Sequence, residues 1–484
     1  MSNGDQRMLH SDAFAWYMEK DPVLRSTIVA VDRLDREPDW DLLHSRIDRL
    51  TRLAPTLRMR VQAPPLRLGP PRWTYDESFD LDYHLRRVRL AEPAGWNEVL
   101  EFARTAAMDD FDRSRPLWEF TVLEGMSDGG AAFVTKLHHS LTDGIGGMQL
   151  AALVVDFGPE PPALDEAPPA PEGRQLSSLD LTVRSVADDT VEAAGAATRI
   201  LRALPAGMLV AARHPVSTVR GAVATTTSIG RFVAPVNRPL SPVLGKRRTS
   251  RTLATLDVPF EQFHEAAVSA GGHINDAFIA ALAGGMHRYH ARRSASLDEV
   301  RVTVPISIRG DADAIGGNRI TLTRIKMPAA IAEPGERIRH TREIMQVWRR
   351  EPALGHTQEI AFGLNLLPRP YIGGLLKRVE MLASDVPGIP TPVWLAGARV
   401  IGYYAFGPTI GAGMNATLMS YADVCNIGVN IDTSAIDDPE ALMACIQEAF
   451  DEILALAPKK RAKRVKAAED TASHQKAADP PSGP

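Results

Sequence analysis

The run Ala131–Leu137 has the length and apolar content of a buried strand, and it leads directly into His138, His139, Ser140, Leu141, Thr142, Asp143 and Gly144. Glycines at 144, 146 and 147 mark where the extended structure stops, and the small-residue segment behind them predicts a helix over Met148–Val155. A buried strand that hands its chain through a polar turn to a helix commits this region to mixed α/β structure. It also sets His139 at a strand end beside a cavity, where loop side chains carry chemistry.

An imidazole in that position suits proton transfer. Its unperturbed pKa of roughly 6.5 lets it take a proton from a hydroxyl at neutral pH and return it to a leaving group. Asp143, four residues on, is close enough to brace the turn electrostatically, and Gly144 lets backbone approach something bulky without a side chain in the way. A metal site and satisfied core polar groups are the two other readings of the pair. Metal binding is the weaker, because adjacent histidines on an extended segment point to opposite faces and no second His/Cys cluster offers the remaining ligands. A Ser-His-Asp reading through Ser140 fails for lack of a nucleophile-elbow glycine pattern.

Size and charge narrow the class. A chain of 484 residues predicts two domains of about 200 residues with a connection between them. With 44% apolar and 24% charged residues it is an ordinary folded composition, and a net charge of −4 with no recognised motif argues against nucleic-acid binding. Cys425 and Cys445 are too few for a disulfide framework and lack zinc spacing, which predicts two small core residues and a reducing intracellular compartment. The start, MSNGDQRMLHSDAF, has no basic flank followed by an apolar stretch, and no window approaches about 18 uninterrupted apolar residues. Neither secretion by that route nor a membrane span is expected.

Along the chain, strands are predicted at Thr27–Val31, Phe120–Leu123, around 300–306 and 320–322, near 379–383, 393–404 and 414–418, and at Cys425–Asp432, whose apolar and polar residues alternate most cleanly. Phe79–His84 reads as leading into another extended segment. Helices are predicted from about Asp41 to before Pro55, over 97–108, from Phe260, over 274–289, 335–350 and 358–376, and from Pro439, capped by Asp438, to Leu456. The expected organisation is an N-terminal subdomain at 1–157, a Pro-rich linker and basic helix-like connector at 158–250, a C-terminal subdomain at 251–457 and a disordered tail at 458–484. Six prolines between Gly158 and Gly173 support the linker. From Ala193 to Leu256 there is no acidic residue, while Arg199, Arg202, Arg213 and Arg220 interleave with Ile200, Leu201, Leu204, Met208, Leu209 and Val210. That mixture suits a helix lying on an anionic lipid surface, or else an interdomain connector with solvated arginines.

The segment His138–Gly144 resembles the HHxxxDG acyltransferases, the superfamily that includes chloramphenicol acetyltransferase and peptide-synthetase condensation domains. Further segments narrow the resemblance to the bacterial wax ester synthase/acyl-CoA:diacylglycerol acyltransferase family: PLWE at Pro116–Glu119, Asn275-Asp276, PISIR at Pro305–Arg309 and Gly317-Asn318. Their order and spacing, over about Leu9 to Leu456, are specific where any one alone is weak. At Ser384–Gly388 the family usually reads Ser-Asn-Val-Pro-Gly and this chain carries Asp385.

The resemblance implies two chloramphenicol-acetyltransferase-like subdomains with an active-site tunnel between them. It implies an O-acyltransferase that moves a fatty acyl group from acyl-CoA, a substrate rather than a cofactor, to diacylglycerol or a long-chain fatty alcohol. His139 is then the catalytic base, with His138, Asp143 and Gly144 completing the motif. Asp143 is expected to point away from the imidazole and pair with an arginine, for which Arg309 is the candidate. Arg309 could instead be a solvated strand-end charge. Asn275 and Trp118 are candidate substrate contacts, against the plainer readings of a helix cap and a core aromatic. No metal and no cofactor is expected. The lipid substrates predict a cytoplasmic protein held peripherally on the inner face of the membrane or on lipid droplets. Two alternatives stay open: a superfamily member using a carrier-bound donor or a polar alcohol, and a catalytically idle lipid-binding protein.

Overall fold

The computed structural model describes residues 5–65, 69–160, 162, 166–171, 177, 179–188, 190–191, 227–230, 234, 236, 238–307, 320–365 and 367–458. Its strands, in chain order, are β1 (Asp5–Arg7), β2 (Thr27–Leu34), β3 (Met59–Gln62), β4 (Arg72–Tyr75), β5 (Leu85–Arg89), β6 (Trp118–Glu124), β7 (Ala131–His138), β8 (Arg251–Pro259), β9 (Glu299–Ser307), β10 (Ile320–Pro328), β11 (Met381–Val386), β12 (Trp394–Leu395), β13 (Ala398–Phe406), β14 (Met414–Tyr421) and β15 (Val424–Asp432). Two six-stranded sheets dominate, one in the order β12-β13-β2-β7-β6-β5 and one in the order β10-β9-β11-β14-β15-β8; β1, β4 and β3 form a small third sheet.

Local chemistry accounts for the helices that cover these sheets. Over Trp40–Leu53, the Asp39 carboxylate accepts the Leu42 N–H at 2.9 Å, and Leu43, Ile47 and Leu50 are buried at helical spacing up to the stop before Pro55. The helix Pro439–Leu454 is capped by Asp438, which accepts from the Ala441 N–H at 2.9 Å, and it buries Leu442, Cys445, Ile446, Ala449, Phe450 and Ile453. That face packs with the long helix Ile274–Ala291 over the second sheet. Each such large side chain removed from water contributes about 1.5–3 kcal/mol. Both cysteines are buried and unbridged.

Several elements differ from expectation. The helix behind the double histidine runs over Gly144–Ala151 rather than 148–155, because Asp143 caps it by accepting the Gly146 N–H at 2.7 Å. Glycines that read as breakers therefore sit in the first turn of the helix. Phe79–His84 does lead into a strand, β5, but through one helical turn, Leu81–His84, capped by Asp80. The predicted helix 358–376 is two helices, Thr357–Asn365 and Arg369–Leu376, the second starting behind Pro368. The predicted strand 393–404 is broken at Ala396 and Gly397, both at positive φ. Most of the Pro-rich linker and basic connector, Arg309, Gly317-Asn318 and the tail from 459 lie outside the described residues.

The break at 396–397 matters for the site. β13 leaves the second half of the chain and pairs antiparallel with β2, with Tyr404 opposite Val31 and Phe406 opposite Val29. It thereby docks the two lobes. Tyr404 donates its hydroxyl to Asp257 at 3.0 Å, Asn426 accepts the Tyr403 N–H at 3.1 Å, and Asn430 donates to the Gly407 carbonyl at 3.1 Å. A Cβ on Gly428 would lie 2.2 Å from the Ala405 carbonyl oxygen, so the close approach of β15 to β13 requires glycine there.

Candidate active site

β7 carries the double histidine to the rim of the first sheet, and the pleat sends the two rings to opposite sides. His139 stays in register with β2 for one further residue, its N–H donating to the Ser26 carbonyl at 2.8 Å. Its ring lines an apolar cavity of about 260 Å³ between the sheets, together with Asp143, Gly144, Met148, Val386 and Met419. Burial lowers its pKa below the ordinary histidine value; a hydrogen bond to its own backbone and the Asp143 carboxylate act in the opposite sense. The ring is therefore neutral at pH 7 and able to accept a proton.

His138 faces the other way and does not line the cavity. Fully buried, it stands 3.1 Å from Glu19 through Nε2, with Trp16 and Phe111 edge-on to its ring. The Ser140 N–H donates to Nδ1 at 3.1 Å, which puts the ring proton on Nε2, toward Glu19. The structure thus sets His138 behind the strand, against Glu19 and off the cavity wall, where the sequence reading grouped it with the catalytic residues.

Glu19 escaped the sequence reading. Its carboxylate accepts the Ser26 N–H at 3.1 Å and the Arg113 guanidinium at 3.2 Å. Ser26 in turn accepts the His139 N–H, so one buried carboxylate organises the backbone on which both histidines hang. Burial raises its pKa, but His138, the Ser26 amide and Arg113 outweigh that and hold it below the usual glutamate value. A single Glu at a helix end carries no pattern that could have flagged it.

Asp143 is buried, caps the helix Gly144–Ala151 and lines the cavity wall. Its expected partner, Arg309, lies outside the described residues. Gly144 is where the lobes touch at the site: a Cβ there would stand 2.6 Å from Cγ2 of Val386 on β11. Trp118 does not line the cavity, in keeping with the plainer reading of a core aromatic. Fully buried, it donates its indole N–H to the Leu57 carbonyl at 2.7 Å and stacks on His84 at 4.5 Å, away from the cavity. Asn275 is not the helix cap either, since Asp276 closes that helix start by accepting the His273 N–H at 3.0 Å. Asn275 lines a second cavity, of about 610 Å³, which adjoins the first at Pro305, Ser307 and Asp385. Asp385 sits in this shared wall with its pKa raised to about 6, by burial first and then by Asp276, against the opposing pull of Arg349. Among the described residues no group of three His, Cys, Asp or Glu side chains could hold a metal ion.

A neutral imidazole at the seam of two docked α/β lobes, over an apolar cavity that a second cavity meets, is the arrangement of a two-lobed acyltransferase. The comparisons with known proteins agree. The profile of the wax ester synthase/diacylglycerol acyltransferase catalytic domain matches residues 4–278, and that of the WS/DGAT C-terminal domain matches residues 316–454. A Mycobacterium tuberculosis protein provisionally named a diacylglycerol O-acyltransferase is 36% identical over 445 residues, which is 91% of this chain and 90% of the relative. A second from that organism, named likewise, is 29% identical over 482 residues, 93% of this chain and 98% of its own. Among solved structures, the wax ester synthase/diacylglycerol acyltransferase of Marinobacter aquaeolei VT8 superposes with a TM-score of 0.60 at 21% identity, over 94% of this chain and all of that one. The first condensation domain of the calcium-dependent antibiotic synthetase gives 0.61 at 15% identity, over 96% and 98%. The chain belongs to the wax ester synthase/diacylglycerol acyltransferase family.

Proposed function

We propose that this enzyme transfers a fatty acyl group from acyl-CoA to the hydroxyl of diacylglycerol or a long-chain alcohol, with His139 as general base. The observation that carries the reading is the His139 ring, held neutral by burial on the wall of an apolar cavity. The imidazole takes the proton of the acceptor hydroxyl as its oxygen attacks the thioester carbonyl. The tetrahedral intermediate then expels CoA thiolate as the C–S bond breaks, and the imidazolium returns the proton to sulfur. Such a base supplies about 10²- to 10⁴-fold in rate. The adjoining second cavity supports separate approaches for donor and acceptor, and one structural neighbour, the starter condensation domain of rhizomide synthetase, is described in complex with C8-CoA. Assaying acyl-CoA with diacylglycerol and with hexadecanol, against acyl groups on a carrier protein, tests both donor and acceptor class. Turnover of the carrier-bound donor alone would replace this reading.

Delivery of a water-insoluble acceptor follows from the same proposal. Among the described residues no helix is long and apolar enough to cross a membrane. Residues 179–188 are helical, with Leu181 and Ser185 buried and with Arg184 and Asp188 tied to Asp5 and Arg72. Leu179, Val183 and Val186 form the opposite face, 73%, 59% and 44% exposed. This apolar face precedes the arginine-rich, acid-free stretch of sequence, a combination suited to an anionic lipid surface. Co-sedimentation with vesicles containing anionic lipid should weaken with salt and with glutamine at Arg199, Arg202, Arg213 and Arg220. Binding unaffected by either change would remove this part of the proposal.

A further inference from the structure

β2, β7 and β13 each contribute to the wall of the first cavity, and on β2 an acidic side chain interrupts the apolar lining. On β2, alternation turns Ile28, Ala30 and Asp32 to the cavity, and all three line it. Asp32 lies opposite Phe133 on β7 and opposite Tyr403 on β13, and both of these also line the cavity. Among the described residues nothing hydrogen-bonds the Asp32 carboxyl or the Tyr403 hydroxyl. Burial alone pushes the Asp32 pKa up to about 7, with no cation offsetting the charge, so the carboxyl is about half protonated at neutral pH. The Tyr403 phenol is raised above its usual value by burial and then by the neighbouring carboxylate. Two side chains that can each donate and accept thus face an apolar cavity with no hydrogen-bond partner among the described residues, where a ligand group could meet both.

The register gives the distance from this pair to the base. Phe133, opposite Asp32, is six residues before His139 on an extended segment, which at about 3.4 Å per residue is roughly 20 Å. An extended hydrocarbon with C–C bonds of about 1.5 Å advances about 1.25 Å per carbon, so roughly sixteen carbons span that gap. From these observations, and resting on the acyltransferase reading of His139, we infer that Asp32 and Tyr403 form a hydroxyl-binding subsite that selects long-chain substrates carrying a hydroxyl at the end remote from the reacting carbon.

The chemistry of the pair favours a hydroxyl over the alternatives. A neutral alcohol can accept from one of the two side chains and donate to the other. A terminal carboxylate would meet the residual charge of Asp32, and a methyl end would leave both groups unbonded.

The hydroxyl could be carried by the acyl chain or by the acceptor, and two arms of one experiment separate these. The first compares 16-hydroxyhexadecanoyl-CoA with hexadecanoyl-CoA at a fixed acceptor; the second compares 1,16-hexadecanediol with hexadecanol at a fixed donor. In the arm whose chain occupies the cavity, the hydroxylated substrate should be preferred in kcat/KM by about tenfold, mostly through KM, the size of one net hydrogen bond. A 12-hydroxydodecanoyl chain, too short to reach, should show no such gain. Asp32→Leu and Tyr403→Phe should each lower kcat/KM for the hydroxylated chain and raise it for the plain one. Asp32→Asn, which keeps shape and hydrogen bonding, should retain the preference and shows that loss in the Leu variant is not misfolding. If the wild-type enzyme turns over plain and hydroxylated chains equally in both arms, the pair holds only water and the subsite is wrong. If none of these substrates is acylated or donates, the acyltransferase reading itself falls, and the subsite with it.

Discussion

Removing Glu19 tests whether a buried carboxylate, rather than the histidine motif alone, holds His139, the proposed base, in place. In Glu19→Ala the Ser26 N–H and the His138 Nε2–H lose their acceptor while staying buried, since Glu19 is 8% and Ser26 3% exposed and His138 is fully buried. Two buried donors left without partners cost about 1–3 kcal/mol each, so a loss of about 2–6 kcal/mol is expected. Arg113, 38% exposed at its side chain, can turn to water and adds little. Glu19→Gln, whose amide oxygen can still accept from one donor, should lose about half as much. Activity should fall with stability. The His139 backbone hangs on the Ser26 carbonyl, and a shift of about 1 Å in a catalytic group can cost on the order of 10²-fold in rate. The pH dependence has a defined sign. The folded-state pKa of Glu19 lies below its ordinary 4.5, so its contribution is fully present above that value and is lost as pH falls through the folded pKa. Urea unfolding at pH 7 and again near pH 3, with kcat measured under folding conditions, reads all of this. A Glu19→Ala protein within about 1 kcal/mol of wild type at pH 7, with unchanged kcat, would refute the reasoning.

His139→Ala should lose about 10²- to 10⁴-fold in kcat while melting near the wild-type temperature, and residual activity above a tenth of wild type would remove it as the base. Because burial lowers its pKa from 6.5, the wild-type kcat/KM should stay level as pH falls through 6.5 and drop only below it; a limb centred above 6.5 contradicts a buried neutral imidazole. Gly144→Ala should cost about 1–3 kcal/mol and open the lobe contact, since the added Cβ would meet Val386 at 2.6 Å. Val386→Ala in the same chain should restore most of the lost activity, and failure to rescue would place the strain elsewhere. Asp143→Asn and Arg309→Ala should each destabilise by about 3–5 kcal/mol if the two form the buried pair that the family resemblance implies. A double-mutant cycle that proves additive would show that they do not touch.

Much of the fold was legible in the chain because its signals are local. The 3.6-residue spacing of Leu43, Ile47 and Leu50, the cap at Asp438-Pro439 and the alternation from Cys425 to Asp432 each specify an element through neighbours a few residues away, and each appears where it was expected. The double-histidine motif likewise identified its strand and turn, since strand, polar turn and glycines are contiguous. Where Trp118 and His138 lie was not legible, because a sequence shows neither which face of a strand meets the cavity nor what lies behind it.

What tertiary structure alone decided are the contacts made across long stretches of chain. The periodicity of 398–406 says strand but not which strands it will pair with, and pairing with the sequence-distant β2, as well as with its neighbour β12, docks the lobes and builds one wall of the cavity. That choice sets Tyr403 beside Asp32, brings Val386 onto Gly144 and lets Asp385 join the two cavities. Glu19 meets His138 by the same kind of meeting, a helix end folded against a strand end. Hydrophobic burial is non-directional, and it fixes how much surface each element must hide without fixing against which partner. The sequence by itself thus determined the elements and the position of His139 at a strand end, whereas the surroundings that keep its ring neutral, set it on the cavity wall and fix its backbone exist only once the two lobes have packed.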